Sequence, residues 1–259
     1  MQVVALISGG KDSTFNAMHC VANGHQLVAL ANLQPPPGID ELDSYMYQTV
    51  GHDLLSVYAE CYGLPLYRRI IKGTARNTSN EYKMQEDGDE VEDLLELLQE
   101  VKRYHPNIQG VSSGAILSNY QRVRVENVCS RLGLVSLAYL WQQDQVRLLR
   151  AMVDNEIDAV LVKVAAMGLK KSDLGLSIKE LATRINSLCD KYQLNPCGEG
   201  GEYETVTLDC PIFKRRIVID ECRQVILRDC DFAPVCYLKI LRFHTEDKPL
   251  LGQWNLKWN

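Results

Sequence analysis

Val3-Val4-Ala5-Leu6-Ile7, running directly into Ser8-Gly9-Gly10-Lys11-Asp12-Ser13, is the stretch on which the fold turns. Five apolar residues in a row, three of them β-branched, suit a strand buried on both faces, as in the middle of a parallel sheet. Two glycines then permit a tight turn, and Asp12 and Ser13 suit the start of a helix traced by Phe15, Met18, His19 and Ala22. Strand, glycine turn and helix N-terminus make a nest of backbone N–H donors for an anion, and Lys11 adds a full positive charge. A glycine turn with an exposed lysine is the plainer reading, but the strand before and the helix after are the context that an anion loop requires.

Asn23-Gly24 is expected to stop that helix, and Gln26-Leu27-Val28-Ala29-Leu30-Ala31 reads as a second buried strand. Two strands joined by one helix form a right-handed βαβ unit whose ligand lies at the carboxyl ends of the strands. Ala31 and Asn32 then fall beside a nucleotide's base or ribose. Pro35-Pro36-Pro37-Gly38 carries the chain out over the surface. The following 41–48 mixes aromatic and polar residues, and Tyr45, Tyr47 and Gln48 belong either to an amphipathic packing turn or to a substrate-facing segment.

A helix is expected over 53–62, a third strand over 65–71 and, in the polar, acidic stretch 77–90, a mobile loop, a lid or disorder. Val91, Leu94, Leu95, Leu98 and Val101 form a helical core stripe, and 108–111 is a short fourth strand. That strand ends in Ser112-Ser113-Gly114-Ala115-Ile116, small residues that would make Gly114 part of a second wall of the nucleotide site. In the next helix Arg122 and Arg124 lie about 200° apart, so both cannot face one ligand equally: one is expected to reach a phosphate or carboxylate and the other to sit in a surface ion pair. A strand over 135–140, a helix over 145–153 and the apolar run Ala159-Val160-Leu161-Val162-Lys163-Val164 continue the βα alternation. From Arg216 onward short strand-like pieces follow without helices, which predicts antiparallel pairing in a smaller C-terminal α+β region. The expected organisation is a nucleotide-binding domain over 1–133, a substrate-binding region over 134–245 and a tail over 246–259.

At 259 residues, 46% hydrophobic and 24% charged, the composition is that of an ordinary globular protein with a sizeable core. A net charge of −5 argues against broad nucleic-acid binding, and no apolar run approaches membrane-spanning length. No basic-then-apolar signal segment precedes the first strand. Nine cysteines, scattered without a CxxC pair or Cys/His ligand spacing, read as reduced thiols in a cytoplasmic protein and disfavour zinc.

A second chemical cluster is Cys197-Gly198-Glu199-Gly200-Gly201-Glu202-Tyr203-Glu204-Thr205. Three carboxylates within six residues repel one another, and the glycines remove side chains that would cover them. Either a cation binds there or the stretch is a solvated acidic hairpin.

The lysine directly after the second glycine departs from the GxxxxGK[ST] spacing of the common triphosphate loop. SGGKDS at 8–13 resembles instead the pyrophosphate loop of the ATP pyrophosphatase (PP-loop) superfamily. Together with ELDSYMYQTVG at 41–51, SGAILSNYQRVRVENVC at 113–129 and GEGGEYETVTLDCP at 198–211, it resembles the diphthine–ammonia ligase family over nearly the whole chain. That resemblance implies an α/β fold with a Rossmann-like parallel sheet of the adenine nucleotide alpha hydrolase kind. It further implies the short form, without the extra C-terminal domains of some fungal members.

The implied activity is ATP-dependent amidation of the diphthine carboxylate on translation elongation factor 2 with ammonia, through an acyl-adenylate, releasing AMP and pyrophosphate. ATP and Mg2+ are the implied cofactors. On this reading Ser8, Gly9, Gly10, Lys11, Asp12, Ser13, Ala31, Asn32 and Gly114 bind the nucleotide, and Asp12 also meets the metal. Lys11, Asp12, Glu199, Glu202 and Glu204 are the catalytic candidates; Tyr45, Tyr47, Gln48, Gly200, Gly201, Tyr203 and Thr205 are the substrate-binding ones. The acidic residues and Tyr203 suit the trimethylammonium of diphthine, or one carboxylate binds ammonium and takes its proton; the individual roles stay open.

Two alternatives stand beside this one: another PP-loop adenylating amide or thio-transfer enzyme, and a module that holds ATP without turnover. Sulfur transfer would favour paired cysteines and a basic surface, which the sequence does not display. A glutaminase-fed enzyme would need an amidase domain, for which there is no room before Ser8. Lys11, Asp12 and the acidic cluster count against the module.

Overall fold

The computed structural model describes residues 1–39, 46–48, 50–82, 85–249 and 254–258. In chain order its elements are β1 (Gln2–Leu6), α1 (Lys11–Ala22), β2 (Gln26–Gln34), α2 (Tyr58–Tyr62), β3 (Leu66–Ile70), α3 (Glu90–Tyr104), β4 (Gly110–Ser112), α4 (Asn119–Leu132), β5 (Val135–Leu137), α5 (Gln145–Asp154), β6 (Asp158–Val164), α6 (Ile178–Tyr192), β7 (Tyr203–Asp209), β8 (Arg215–Arg228) and β9 (Val235–Asp247). They gather into two units. The first holds Met1–Ser8, Asp12–Thr49 and Leu64–Trp141; the second holds Gly9–Lys11, Val50–Gly63 and Gln142–Asn259.

The first unit is built on an all-parallel sheet of order β3-β2-β1-β4-β5. Buried Val3, Val4 and Ala5 place β1 at its centre, as the unbroken apolar run requires. Val91, Leu94, Leu97, Leu98 and Val101 of α3 and Val125, Val128 and Cys129 of α4 pack with Val4, Ala29, Ala31 and Val111 of the sheet. Asp89 caps α3 by accepting from the Val91 N–H, and Ser118 caps α4 by accepting from Gln121 N–H. Strand order reverses between β1 and β4, so the crevice outside the ends of these two strands is where a doubly wound sheet takes its ligand.

The stretch read as a mobile loop or lid is fastened where it is described. Arg124, fully buried, donates to the carbonyls of Asn77 and Ser79, while its guanidinium lies 3.3 Å from the centre of the Tyr120 ring. Asp89 Oδ2 accepts from the N–H groups of Arg76 and Asn77, and Asn127 donates to the carbonyl of Tyr82. Arg122 takes the surface role: it pairs with Glu126 at 3.6 Å and stacks over Trp141.

The second unit carries an antiparallel sheet of order β7-β6-β9-β8. The antiparallel ribbon of β8 and β9 agrees with the texture of the sequence after Arg216. The placement of β6 does not: the run 159–164 leaves the parallel sheet and pairs antiparallel with β7 and β9. A short apolar run carries no information about the direction of its neighbours. Among the described residues no helix is long and apolar enough to cross a membrane.

Candidate active site

In the first unit short polar side chains near the carboxyl ends of β1, β2 and β4 bond mostly to backbone. Ser8 Oγ and its N–H both lie 3.3 Å from Ser13 Oγ, closing the turn onto the first turn of α1. Asn32, 5% exposed, donates to the Ile7 carbonyl at 2.9 Å and accepts from Arg68 Nε at 3.1 Å, so it stitches β2 to β1 and orients Arg68. Ala31 sits inside the sheet, its carbonyl accepting from Ile7 N–H. Asn16 spends its whole amide, donating to Ser112 Oγ and the Leu137 carbonyl and accepting from Tyr139 N–H.

Gly114 presses against the start of α1: a Cβ there would lie 2.6 Å from Ser13 N and 2.8 Å from the carbonyl carbon of Asp12. The glycine is therefore required for the approach of two backbones. Ser113 beside it is buried, and its Oγ has no hydrogen-bond partner among the described residues. Tyr47 donates to the Glu90 carbonyl at 3.3 Å, and burial together with Glu90, Asp93 and Asp89 pushes its phenol well above the ordinary range. Gln48 is half-buried, and Tyr45 lies outside the described residues.

In the second unit Gly9–Lys11 runs beside β7. Thr207 N–H donates to the Gly9 carbonyl at 2.8 Å, and Lys11 N–H donates to Thr205 Oγ1 at 3.1 Å. The Tyr58 hydroxyl lies 3.0 Å from the Gly9 carbonyl oxygen and 2.7 Å from that of Thr207, and burial keeps it protonated far above neutral pH. Gly9 has φ 90°, which suits its lack of a side chain. Lys11, 2% exposed, reaches the acidic stretch itself: Nζ donates to the Cys197 carbonyl at 2.5 Å and lies 5.0 Å from the centre of the Tyr203 ring.

The acidic residues differ in what they touch. Glu202 is the buckle of its own loop: Oε1 accepts from the N–H and side-chain amide of Asn195, and Oε2 accepts from Gly200 N–H at 2.7 Å. Gly198 and Gly201, with φ of 78° and 81°, shape the turn around it. Glu204 pairs with Lys163 at 3.0 Å. Glu199 is half-buried in the turn.

Sequence reasoning did not single out Lys163, Tyr58, Asn16 or Arg68. Only Lys163 carried a signal, as the one charge inside the apolar run 159–164.

Among the described residues no three His, Cys, Asp or Glu side chains gather as a metal site. Asp12, in the first turn of α1, is the one carboxylate within the SGGKDS loop. This fits magnesium, which uses one or two carboxylates and completes its shell with water and phosphate oxygens. A glycine turn at a helix N-terminus with a lysine is of the kind that suits a nucleotide phosphate, although the N–H groups of Ser8 and Lys11 donate here to Ser13 Oγ and Thr205 Oγ1.

The family model for the diphthamide synthase N-terminal domain matches residues 1–136, and that for the diphthamide synthase C-terminal domain matches 144–236. A Danio rerio protein named diphthine–ammonia ligase is 56% identical over 251 residues, covering 96% of this chain and 98% of its own length. A Homo sapiens protein of the same name is 55% identical over 252 residues, covering 96% of this chain and 94% of its own. The chain spans only 40% of a Schizosaccharomyces pombe relative of that name, at 54% identity.

Proposed function

Because the chain belongs to the diphthine–ammonia ligase family, we propose that it is an ATP-dependent ligase that converts the carboxylate of a protein-bound diphthine to the amide, completing diphthamide. The acceptor protein in this reading is translation elongation factor 2, in the cytoplasm, where nine free thiols are at home. A carboxylate oxygen of diphthine attacks the α-phosphorus of ATP, and pyrophosphate leaves. Ammonia then attacks the acyl carbon, AMP leaves, and the nitrogen gives up a proton. No side-chain nucleophile is needed.

The observation that carries the reading is Lys11. It belongs to the phosphate turn, yet its ammonium rests on the Cys197 carbonyl and over the Tyr203 ring, so both chemical motifs meet at one side chain. The turn 8–13 takes the departing pyrophosphate, with Lys11 stabilising charge that grows on it, and Asp12 helps to hold magnesium on the phosphates. Glu202 shapes the acidic loop, while Tyr203 and Thr205 on one face of β7, Glu204 on the other and Glu199 in the turn are the groups offered to the cationic end of diphthine or to ammonium.

The test is incubation with ATP, magnesium, ammonium and diphthine-bearing elongation factor 2, following AMP and the mass of the modified peptide. We expect one AMP per peptide lightened by about one mass unit, and a loss of about 10²–10³-fold in kcat for Lys11→Ala. AMP without the mass change would mean a different acceptor. The absence of both products would overturn the ligase reading.

A further inference from the structure

We propose that Lys163 is a positioning residue for the amidation, fixing the Glu204 carboxylate in the acidic loop through a β-bulge built into β6. The inference rests on the proposed role of that loop.

Three observations converge on it. The first is the placement of the charge. Lys163 is the one ionisable residue between Asp158 and the end of β6, flanked by Ala159, Val160, Leu161, Val162 and Val164, of which four are fully buried. The second is the register. Leu161 faces Thr205 but Lys163 faces Glu204, so two steps along β6 meet one step along β7, with Val162 as the extra residue. A bulge of this kind re-aims the side chain that follows it and recurs beside active sites. Here it brings the lysine directly opposite Glu204.

The third is the row it completes. Lys163 is also registered with Tyr237 on β9, and Tyr237 with Val225 on β8, so Glu204, Lys163, Tyr237 and Val225 form one line across all four strands. Side chains alternate along β7, so Glu204 projects from the face opposite Tyr203, whose ring lies beneath Lys11. Each face of the strand is thus served by its own lysine.

Stability does not account for the pair. The two side chains keep only 17% and 20% of their exposure, and half-buried ion pairs are commonly no more stable than apolar residues of the same size. What the pair supplies is geometry. Glu204 projects from a strand rather than from the glycine turn, and Nζ holds one of its oxygens at 3.0 Å. A carboxylate that must meet a cation or take its proton gains from being held in one orientation beforehand.

The test is steady-state kinetics of the full chain with ATP, ammonium and the diphthine-bearing protein varied in turn. Lys163→Met is expected to raise KM for ammonium or for the protein acceptor about tenfold while KM for ATP stays within about twofold, and Lys163→Arg is expected to recover most of the loss. Glu204→Gln should show the same split, and Lys163→Met added to Glu204→Gln should cost nothing further. If Lys163→Met does not accumulate folded, Lys163→Gln removes the charge at similar bulk and is read in the same way. Unchanged KM values with only a lowered Tm, or fully additive losses in the double variant, would overturn the proposal. Should Glu204→Gln itself behave as wild type, the underlying reading of the acidic loop fails, and the role of Lys163 fails with it.

Discussion

The parallel unit turns its buried polar groups on the backbone, and the antiparallel unit displays charges that pair with one another nearer the surface. In the parallel unit, Asn16, Asn32, Asp89, Asp93 and Arg124 bond chiefly to backbone N–H and carbonyl groups, stitching strands and loops together. In the antiparallel unit, charged side chains mostly meet one another: Lys163 with Glu204, Arg184 with Asp173, Lys248 with Asp209, Arg216 with Glu246 and Arg215 with Asp247. A crevice at a strand-order reversal needs rigid backbone and few competing charges. An antiparallel sheet with exposed strands can carry charge on its surface, where the pairs respond to salt and pH.

The stitches of the parallel unit are the place to press hardest. Arg124→Met removes a fully buried cation and the side-chain donor to the carbonyls of Tyr120, Asn77 and Ser79. Unsatisfied buried acceptors cost about 1–3 kcal/mol each, and solvent reaches part of the loop, so a net loss of about 3 kcal/mol is expected in urea unfolding. Amide exchange should quicken over 77–82 and leave β6 and β7 unchanged. A loss below about 1 kcal/mol would show that the cation's own desolvation cancels its bonds, and the contrast between the units would weaken.

Much of the parallel unit was legible because its signals are local. The run 3–7 has to be buried on both faces, and SGGKDS has to be a turn before a helix. Helix α6 was legible too, though it was not read: Ile178, Leu181, Ile185 and Leu188 make one apolar face behind a Ser177/Glu180 capping box. The partner strands of β6 were not legible, since a short run of five apolar residues and one lysine says nothing of parallel or antiparallel neighbours. For the candidate site, both motifs could be read from composition and spacing. Their meeting through Lys11 and Cys197, 186 residues apart, could not. Nor could the Lys163–Glu204 pair, because a bulge in β6 sets that register and no local pattern announces it. Helical geometry alone did not say which of Arg122 and Arg124 is buried, and packing against Tyr120 and Tyr82 is what buries Arg124.

Gly114 sharpens the comparison from the side of the crevice. Its absent Cβ is what allows β4's exit and the first turn of α1 to touch, and the neighbours a side chain would meet are backbone atoms that cannot swing away. Gly114→Ala is therefore expected to cost about 2 kcal/mol and to raise KM for ATP while leaving that for the protein acceptor near wild type. If both KM values rose equally, the glycine would be serving the fold at large.

The smallest effect separates the units by pH. His19 in the parallel unit is buried against Phe15 and Tyr139, and loss of solvation lowers its pKa to about 4. Its unfolded value lies near 6.5, so the unfolded chain binds the proton first, and stability drains away as pH falls from 6.5 toward 4. At about pH 5.5 the loss should be about 1 kcal/mol, and His19→Gln should flatten that limb of the unfolding curve. His244 in the antiparallel unit behaves in the opposite sense. It is exposed between Asp220 at 3.0 Å and Glu246 at 3.4 Å, and hydrogen bonds to those carboxylates raise its pKa. Its contribution is complete below its unfolded pKa and is lost as pH rises through the higher folded one. Titration of the two imidazoles by NMR reads both at once: acidification through pH 6.5 should leave His19 neutral with His244 already charged. A shared midpoint near 6.5 would mean that the two sheets do not treat charge differently after all.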